Sequence, residues 1–284
     1  MRFLALASLL VWSSVAAGSD SSDLKPTVGS TFEIVRVAES EFQRGDQGNG
    51  SSYDSDAIIE RVVDVRDDGL ELEYDNLPPP AGKDSAGNWQ FPARVFKPNS
   101  GPTLLLNAPE LEARLDPWLA KAKWNRAICD KWIFTWNAFH IDCDPQSAIA
   151  IIEPFDLRPS ELSEGAPYRD DRALAPVSLK QIAKSDNGSS FAAELSIDPD
   201  KVRRAQAESD VAVGTMTGQP VTLDDALRNH AADRVSGTIV VTFETDSAGE
   251  VKRRKTVTTI ETIDSEGMKG TRKTTETVER ERVT

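Results

Sequence analysis

The sequence predicts an α+β protein in which antiparallel β meanders at both ends of the chain form a curved sheet, with two or three helices packed on it. Three observations carry this expectation. Near the N-terminus, Leu70, Leu72 and Tyr74 alternate with Glu71, Glu73 and Asp75, a period of two that gives one buried face and one acidic, wet face. In the C-terminal third, Ile239, Val241 and Phe243 alternate in the same way, and turn signals follow at strand spacing. Between these ends, apolar residues recur at helical spacing instead.

The elements follow in order. Residues 31–38, rich in Phe, Ile and Val, read as a first strand, and residues 43–55, with Gly45, Gly48 and Gly50, read as a loop. Residues 57–66 form a second strand, and Asp67-Asp68-Gly69 turns the chain into a hairpin. Pro78-Pro79-Pro80 ends this unit, because proline cannot donate to a ladder. Residues 89–97 and 103–107 are further short strands. Leu111, Leu115, Leu119 and Ala122 then predict a helix over residues 109–124, kinked at Pro117. Asp198 and Pro199 open another helix that Gly214 closes, and Thr222 with Asp225 opens a third, carrying Leu223, Leu227 and Val235 and closed by Gly237. Strands over residues 239–243, 251–263 and 271–283 complete the C-terminal meander. The last carries charge on both faces, which suits a protected sheet edge.

Residues 1–18 have the pattern of a secretory signal peptide. Arg2 supplies a positive start, residues 3–15 are apolar apart from Ser8, Ser13 and Ser14, and Ala16, Ala17 and Gly18 are small. Residues 19–29 read as a flexible leader, and residues 30–284 as a single α+β domain with a possible seam within the proline-rich stretch 153–177. No later apolar run approaches the ~20 residues that a spanning helix needs, so no transmembrane segment is expected in the mature chain. The implied location is periplasmic or secreted.

Lys and Arg number 33 and Asp and Glu 46, for a net charge of −13. Binding to nucleic acid needs a basic face, so no nucleic-acid partner is expected. Lys252-Arg253-Arg254-Lys255 is the densest basic stretch and reads as a solvated strand face that complements the acidic body.

Cys129 and Cys143 are the two cysteines of the chain. In an exported protein such a pair implies a disulfide. Closing a loop of about 15 residues is worth about 3 kcal/mol on the chain-entropy model. If the cysteines face each other across a hairpin, Trp132 opposes His140 and the bend falls near Trp136. Trp118, Trp124, Trp132 and Trp136 lie close together in sequence, either as core anchors or as a platform that stacks on sugar rings or lines an apolar pocket.

Catalytic motifs are absent. The chain has two histidines, His140 and His230, and no nucleophile elbow, zinc-binding HExxH, phosphate loop or dinucleotide fingerprint. No metal or other cofactor is therefore expected. His140 lies beside Asp142 and Asp144, and His230 reads as a half-buried helix residue. In outline, alternating strands with few helices behind a signal peptide resemble the lipoprotein-carrier fold of bacterial envelopes, a likeness that transfers no site residue. The expectation is an exported, non-enzymatic protein that binds a hydrophobic or cell-envelope ligand (lipid or glycan) or a partner protein, with Trp132, Phe134, Trp136 and His140 as the candidate ligand-binding residues. A carbohydrate-binding module or glycoside hydrolase, whose carboxylates could lie among the many acids, is one alternative. A structural envelope component is the other.

Overall fold

The computed structural model describes residues 26–45, 48–78, 88–134, 138–158 and 161–283, with Phe134, Ala138 and Phe139 described by backbone alone. The expected signal peptide, most of the expected leader and Trp136 lie outside the described residues.

One antiparallel sheet of ten strands organises the chain. In chain order its strands are β1 (Thr31–Arg44), β2 (Asn49–Arg66), β3 (Gly69–Asn76), β4 (Ala93–Pro98) and β5 (Leu104–Leu105). Two short pairs follow, β6 (Trp132–Phe134) with β7 (Ala138–His140), and β8 (Pro167–Tyr168) with β9 (Val177–Ser178). The large sheet resumes with β10 (Lys180–Ser185), β11 (Gly188–Ser196), β12 (Arg234–Thr245), β13 (Val251–Ile263) and β14 (Lys269–Arg282). Spatially the order is β10-β11-β12-β13-β14-β1-β2-β3-β4-β5. The N-terminal and C-terminal meanders thus join into one curved, open sheet through the β1–β14 pair. The mixed α+β class holds, but strands from the middle of the chain, β10 and β11, also enter the sheet.

Several sequence expectations are corrected. The stretch 43–55 is mostly strand: β1 runs to Arg44 and β2 begins at Asn49, with Phe42 opposite Gly50 and Gln43 opposite Asn49. Glycine signals marked a turn there but overstated its length. The charged last strand is not an edge. β14 pairs with both β13 and β1, and its charges are matched by partners on those neighbours, as in Arg36–Glu276 at 2.8 Å and Arg253–Glu279 at 3.0 Å. Four α-helices, not two or three, occur among the described residues: α1 (Ala108–Lys121), α2 (Ser147–Ile152), α3 (Pro199–Thr217) and α4 (Leu223–His230).

Local chemistry sets the helix ends. Asp198 Oδ1 accepts from the Asp200 amide and Pro199 opens α3, while Gly218 at φ 69° closes it. Gly214 does not end this helix. It lets the returning chain approach, because a Cβ there would stand 2.6 Å from the Gln219 carbonyl oxygen. Thr222 caps α4 by accepting from the Asp225 amide at 3.2 Å. That helix stops at His230, and Val235 and Gly237 belong to β12, whose β-branched run continues the alternation of Ile239 and Val241.

The core lies on one face of the sheet. Phe32, Ile34, Ile58, Val62, Leu72, Tyr74, Val95, Ile239, Val241, Phe243 and Val278 are all buried there. The middle of the chain covers them through Leu111, Leu115 and Leu119 of α1, with Ile152, Phe155 and Leu157. Leu111, Leu115 and Leu119 of the expected stripe are therefore the packed face of α1, whereas Ala122 is exposed just past its end at Lys121, and Pro117 sits inside the helix. Glu60 is buried in the same layer. It accepts from Arg158 at 2.8 Å, Arg280 at 2.7 Å and the Tyr74 hydroxyl at 2.8 Å.

Candidate functional site

The inward face of the sheet continues beyond the packed core. Register places Gly50 of β2, Phe42 of β1, Arg272 of β14, Ile260 of β13 and Gly237 of β12 in one cross-strand row. Ile260 is two residues from the buried Thr258, so strand alternation keeps it on the inner face. In this row a guanidinium stands between an aromatic and an aliphatic side chain, flanked by two residues without side chains. At Gly50 the Phe42 ring lies over the backbone, in the space that a Cβ would take.

Opposite this row runs α3. Between the two lies a groove of about 540 Å³. Val202 and Ala205 of α3 face Phe42, Ile260 and Met268 across it. Four cations and three acids also line it, with His230. Most of these charges are already matched. Asp264 accepts from the Met268 amide at 2.9 Å, the Glu266 amide at 3.0 Å and Arg44 at 3.2 Å, which together hold its carboxyl below the ordinary range. Arg172 pairs with Asp170 at 2.8 Å. His230 joins Asp210 of α3 through Nε2 and Asp233 through Nδ1, each at 2.8 Å. Partial burial lowers the His230 pKa, but the two carboxylate hydrogen bonds outweigh it and raise the value above that of a free imidazole.

Lys201 and Arg272 remain. Lys201 donates to the Asp171 backbone carbonyl. Among the described residues no carboxylate forms an ion pair with either cation. Gln206, on the same wall, has a buried Oε1 without a hydrogen-bond partner among the described residues.

The aromatic loop adopts the expected antiparallel pairing. Trp132 opposes His140, with ring centroids 5.5 Å apart and planes tilted by 58°. Cys129 and Cys143 stand at disulfide distance, with Cα atoms 5.5 Å apart. Trp132 is 40% exposed. Phe134 and Trp136, the other two candidate residues, contribute no described side chain. Trp118 and Trp124 form an edge-to-face pair at 6.0 Å and pack, partly buried, against the core. Among the described residues, the loop and the groove share no lining residue.

Sequence reasoning had singled out His230 as a half-buried helix residue but passed over Phe42, Lys201, Ile260 and Arg272. Their juxtaposition depends on β14 lying between β1 and β13, which no local signal announces. Among the described residues no cluster of three or more His, Cys, Asp or Glu is arranged to hold a metal ion, and no helix is long and apolar enough to cross a membrane.

No family model matches the chain, and no curated protein matches it in sequence. Among solved structures, one of lipovitellin, described for its lipid–protein interactions, is similar at 8% identity and a TM-score of 0.39. That alignment covers 90% of this chain and 25% of the lipovitellin chain. A protein of unknown function with a hot dog fold from Alicyclobacillus acidocaldarius aligns at 11% identity and a TM-score of 0.12, over 93% of this chain and 83% of that one. Both scores lie below the level at which two chains share a fold.

Proposed function

We propose that this is an exported, non-enzymatic binding protein that holds a hydrophobic ligand in the groove between α3 and the β12–β13–β14–β1 part of the sheet. One observation supports this most directly: Phe42, Ile260, Met268, Val202 and Ala205 converge on a space of about 540 Å³. Small-molecule sites commonly have volumes of about 300–1,000 Å³, mostly apolar walls and a few placed polar groups. Gln206 Oε1 is such a group.

The test is native mass spectrometry on protein purified from its own host, beside an Ala205→Trp variant that fills the groove. The expected result is added mass on the wild type that is lost on denaturation and absent from the variant. Added mass of equal size on both proteins would place the ligand elsewhere and sink the proposal.

A second reading uses Trp132. Its exposed ring beside His140 is suited to stacking on a sugar. Glycan addition that shifts tryptophan fluorescence in the wild type but not in Trp132→Ala would favour it. A flat titration would count against it.

A further inference from the structure

We infer that the groove selects a single-chain amphiphile with an anionic headgroup, its acid group held between Arg272 and Lys201. The inference rests on the binding-groove reading above and names the class of ligand.

The argument is one of charge accounting. The chain as a whole is acidic, at −13, so unmatched cations concentrated at one apolar site are not its background. Asp264 is matched by Arg44 and two backbone amides, Asp170 holds Arg172, and Asp210 and Asp233 are both taken by His230. Only Arg272 and Lys201 then present charge to an occupant without a carboxylate partner among the described residues.

Arg272 is placed to do so. It lies between Phe42 and Ile260 in the cross-strand row, so a ligand that reaches its guanidinium lies along apolar side chains on either side. A guanidinium presents a planar fork of donors that matches carboxylate or phosphate oxygens bidentately, and the lysine adds a second point charge. A neutral amphiphile would leave this pair unused, and a cationic one would be repelled by it. The size of the groove suits one chain and its headgroup.

The probes are dodecanoate, dodecyl phosphate, dodecanol and dodecyltrimethylammonium, each titrated calorimetrically below its aggregation threshold at fixed salt. The proteins are the wild type, Arg272→Met, Lys201→Met and Lys255→Met, the last removing a charge from the outward face of β13. The wild type should bind the two anions at least tenfold tighter than dodecanol and bind the cationic probe weakest. Arg272→Met should cost the anions roughly tenfold and leave dodecanol within twofold. Lys201→Met should act in the same direction, and Lys255→Met should change nothing. The ratio of dodecanoate to dodecyl phosphate then distinguishes a fatty-acid headgroup from a phosphate one.

Equal affinity for dodecanol and the anions, or anion binding indifferent to Arg272→Met, would overturn the headgroup assignment and leave the apolar groove standing. A loss in Lys255→Met as large as in Arg272→Met would also overturn it, by pointing to net charge. Failure of all four probes would count against the groove reading itself. Thermal melts of each variant check that the fold is kept.

Discussion

Arg280 of β14 reaches past β1 to Glu60 of β2, with Nη2 and Oε1 2.7 Å apart and both side chains at most 2% exposed. Its guanidinium lies 3.5 Å from the centre of the Phe32 ring, on the strand between them. Arg158 approaches the same carboxylate from the covering segment at 2.8 Å. One buried anion thus ties three sheet strands to the chain packed over them. Removing it would take away the carboxylate that the two buried guanidinium groups share. Breaking a buried pair in this way typically costs about 3–5 kcal/mol. Glu60→Ala is expected to lower the urea midpoint accordingly. A change under about 1 kcal/mol would mean that the site relaxes or admits water.

The same carboxyl makes stability depend on acid. Burial alone would raise the Glu60 pKa, but Arg158, Arg280 and the Tyr74 hydroxyl outweigh it and hold the value well below the ordinary carboxylate range. A group depressed on folding contributes stability that is fully present above its unfolded pKa. That contribution is lost as pH falls through the ordinary range toward the depressed value. Melting temperatures measured from pH 7 to pH 3 should therefore fall, and fall less steeply in Glu60→Gln. Identical slopes in the two proteins would assign the acid sensitivity to other carboxylates.

His230 acts in the opposite direction. Its folded pKa is raised by Asp233 and Asp210, so its contribution is complete below the unfolded value and is lost as pH rises through the raised one. A neutral imidazole has one N–H donor, and two carboxylates only accept, so deprotonation breaks one of the two 2.8 Å contacts. The Asp210 contact is the one that links α3 to α4. Hydrogen exchange of the α3 and α4 amides should be faster at pH 8.5 than at pH 5.5, after correction for intrinsic rates. His230→Gln should lose that difference. Equal protection at both pH values in the wild type would show that the helices are held by packing alone.

Much of the fold is legible in the sequence because its signals are local. The alternation of Leu72 and Tyr74 with Glu73 and Asp75, the Asp67-Asp68 turn and the Asp198 and Thr222 caps each depend on a few neighbours, and each appears in the structure, whereas Glu71, expected on the wet face, is buried between Arg66 and Arg94. The pairing of Trp132 with His140 follows from strand geometry once the two cysteines are set opposite each other. What was illegible is long-range. The charges of β14 read as an edge because pairing with β1, some 240 residues away, leaves no mark on either strand alone. The groove was missed for the same reason. Phe42 and Arg272 become neighbours only through that pairing, and Phe42 lies in a stretch whose glycines had suggested a loop.

Reducing the Cys129–Cys143 bridge should destabilise the loop that presents Trp132. The bridge closes a segment with a sequence separation of 14, and cross-links of that length contribute about 3 kcal/mol on the chain-entropy model. Ile141, inside the loop, is buried at 4% exposure, and its amide donates to the Lys131 carbonyl at 2.9 Å. The expected outcome for Cys129→Ser with Cys143→Ser is a lower melting temperature together with faster exchange at the Ile141 amide. An unchanged melt with fast exchange confined to the loop would mean that the loop opens as a separate unit.

The two glycines of the groove row should respond differently to alanine. At Gly237 a Cβ would meet the Thr259 backbone carbonyl oxygen, which can move only with its strand. Overpacking of that kind costs about 1–3 kcal/mol, so Gly237→Ala should shift the urea midpoint down. At Gly50 the Cβ would meet the Phe42 ring, the end of a side chain 48% exposed that can swing aside. Gly50→Ala should therefore leave stability within about 0.5 kcal/mol, as at most surface positions, while displacing the ring from the groove. Weaker dodecanoate binding at unchanged stability is the expected result for Gly50→Ala. Unaltered binding in that variant would show that Phe42 contributes nothing to the groove, and a large loss of stability would show that its ring is held in place by more than β2.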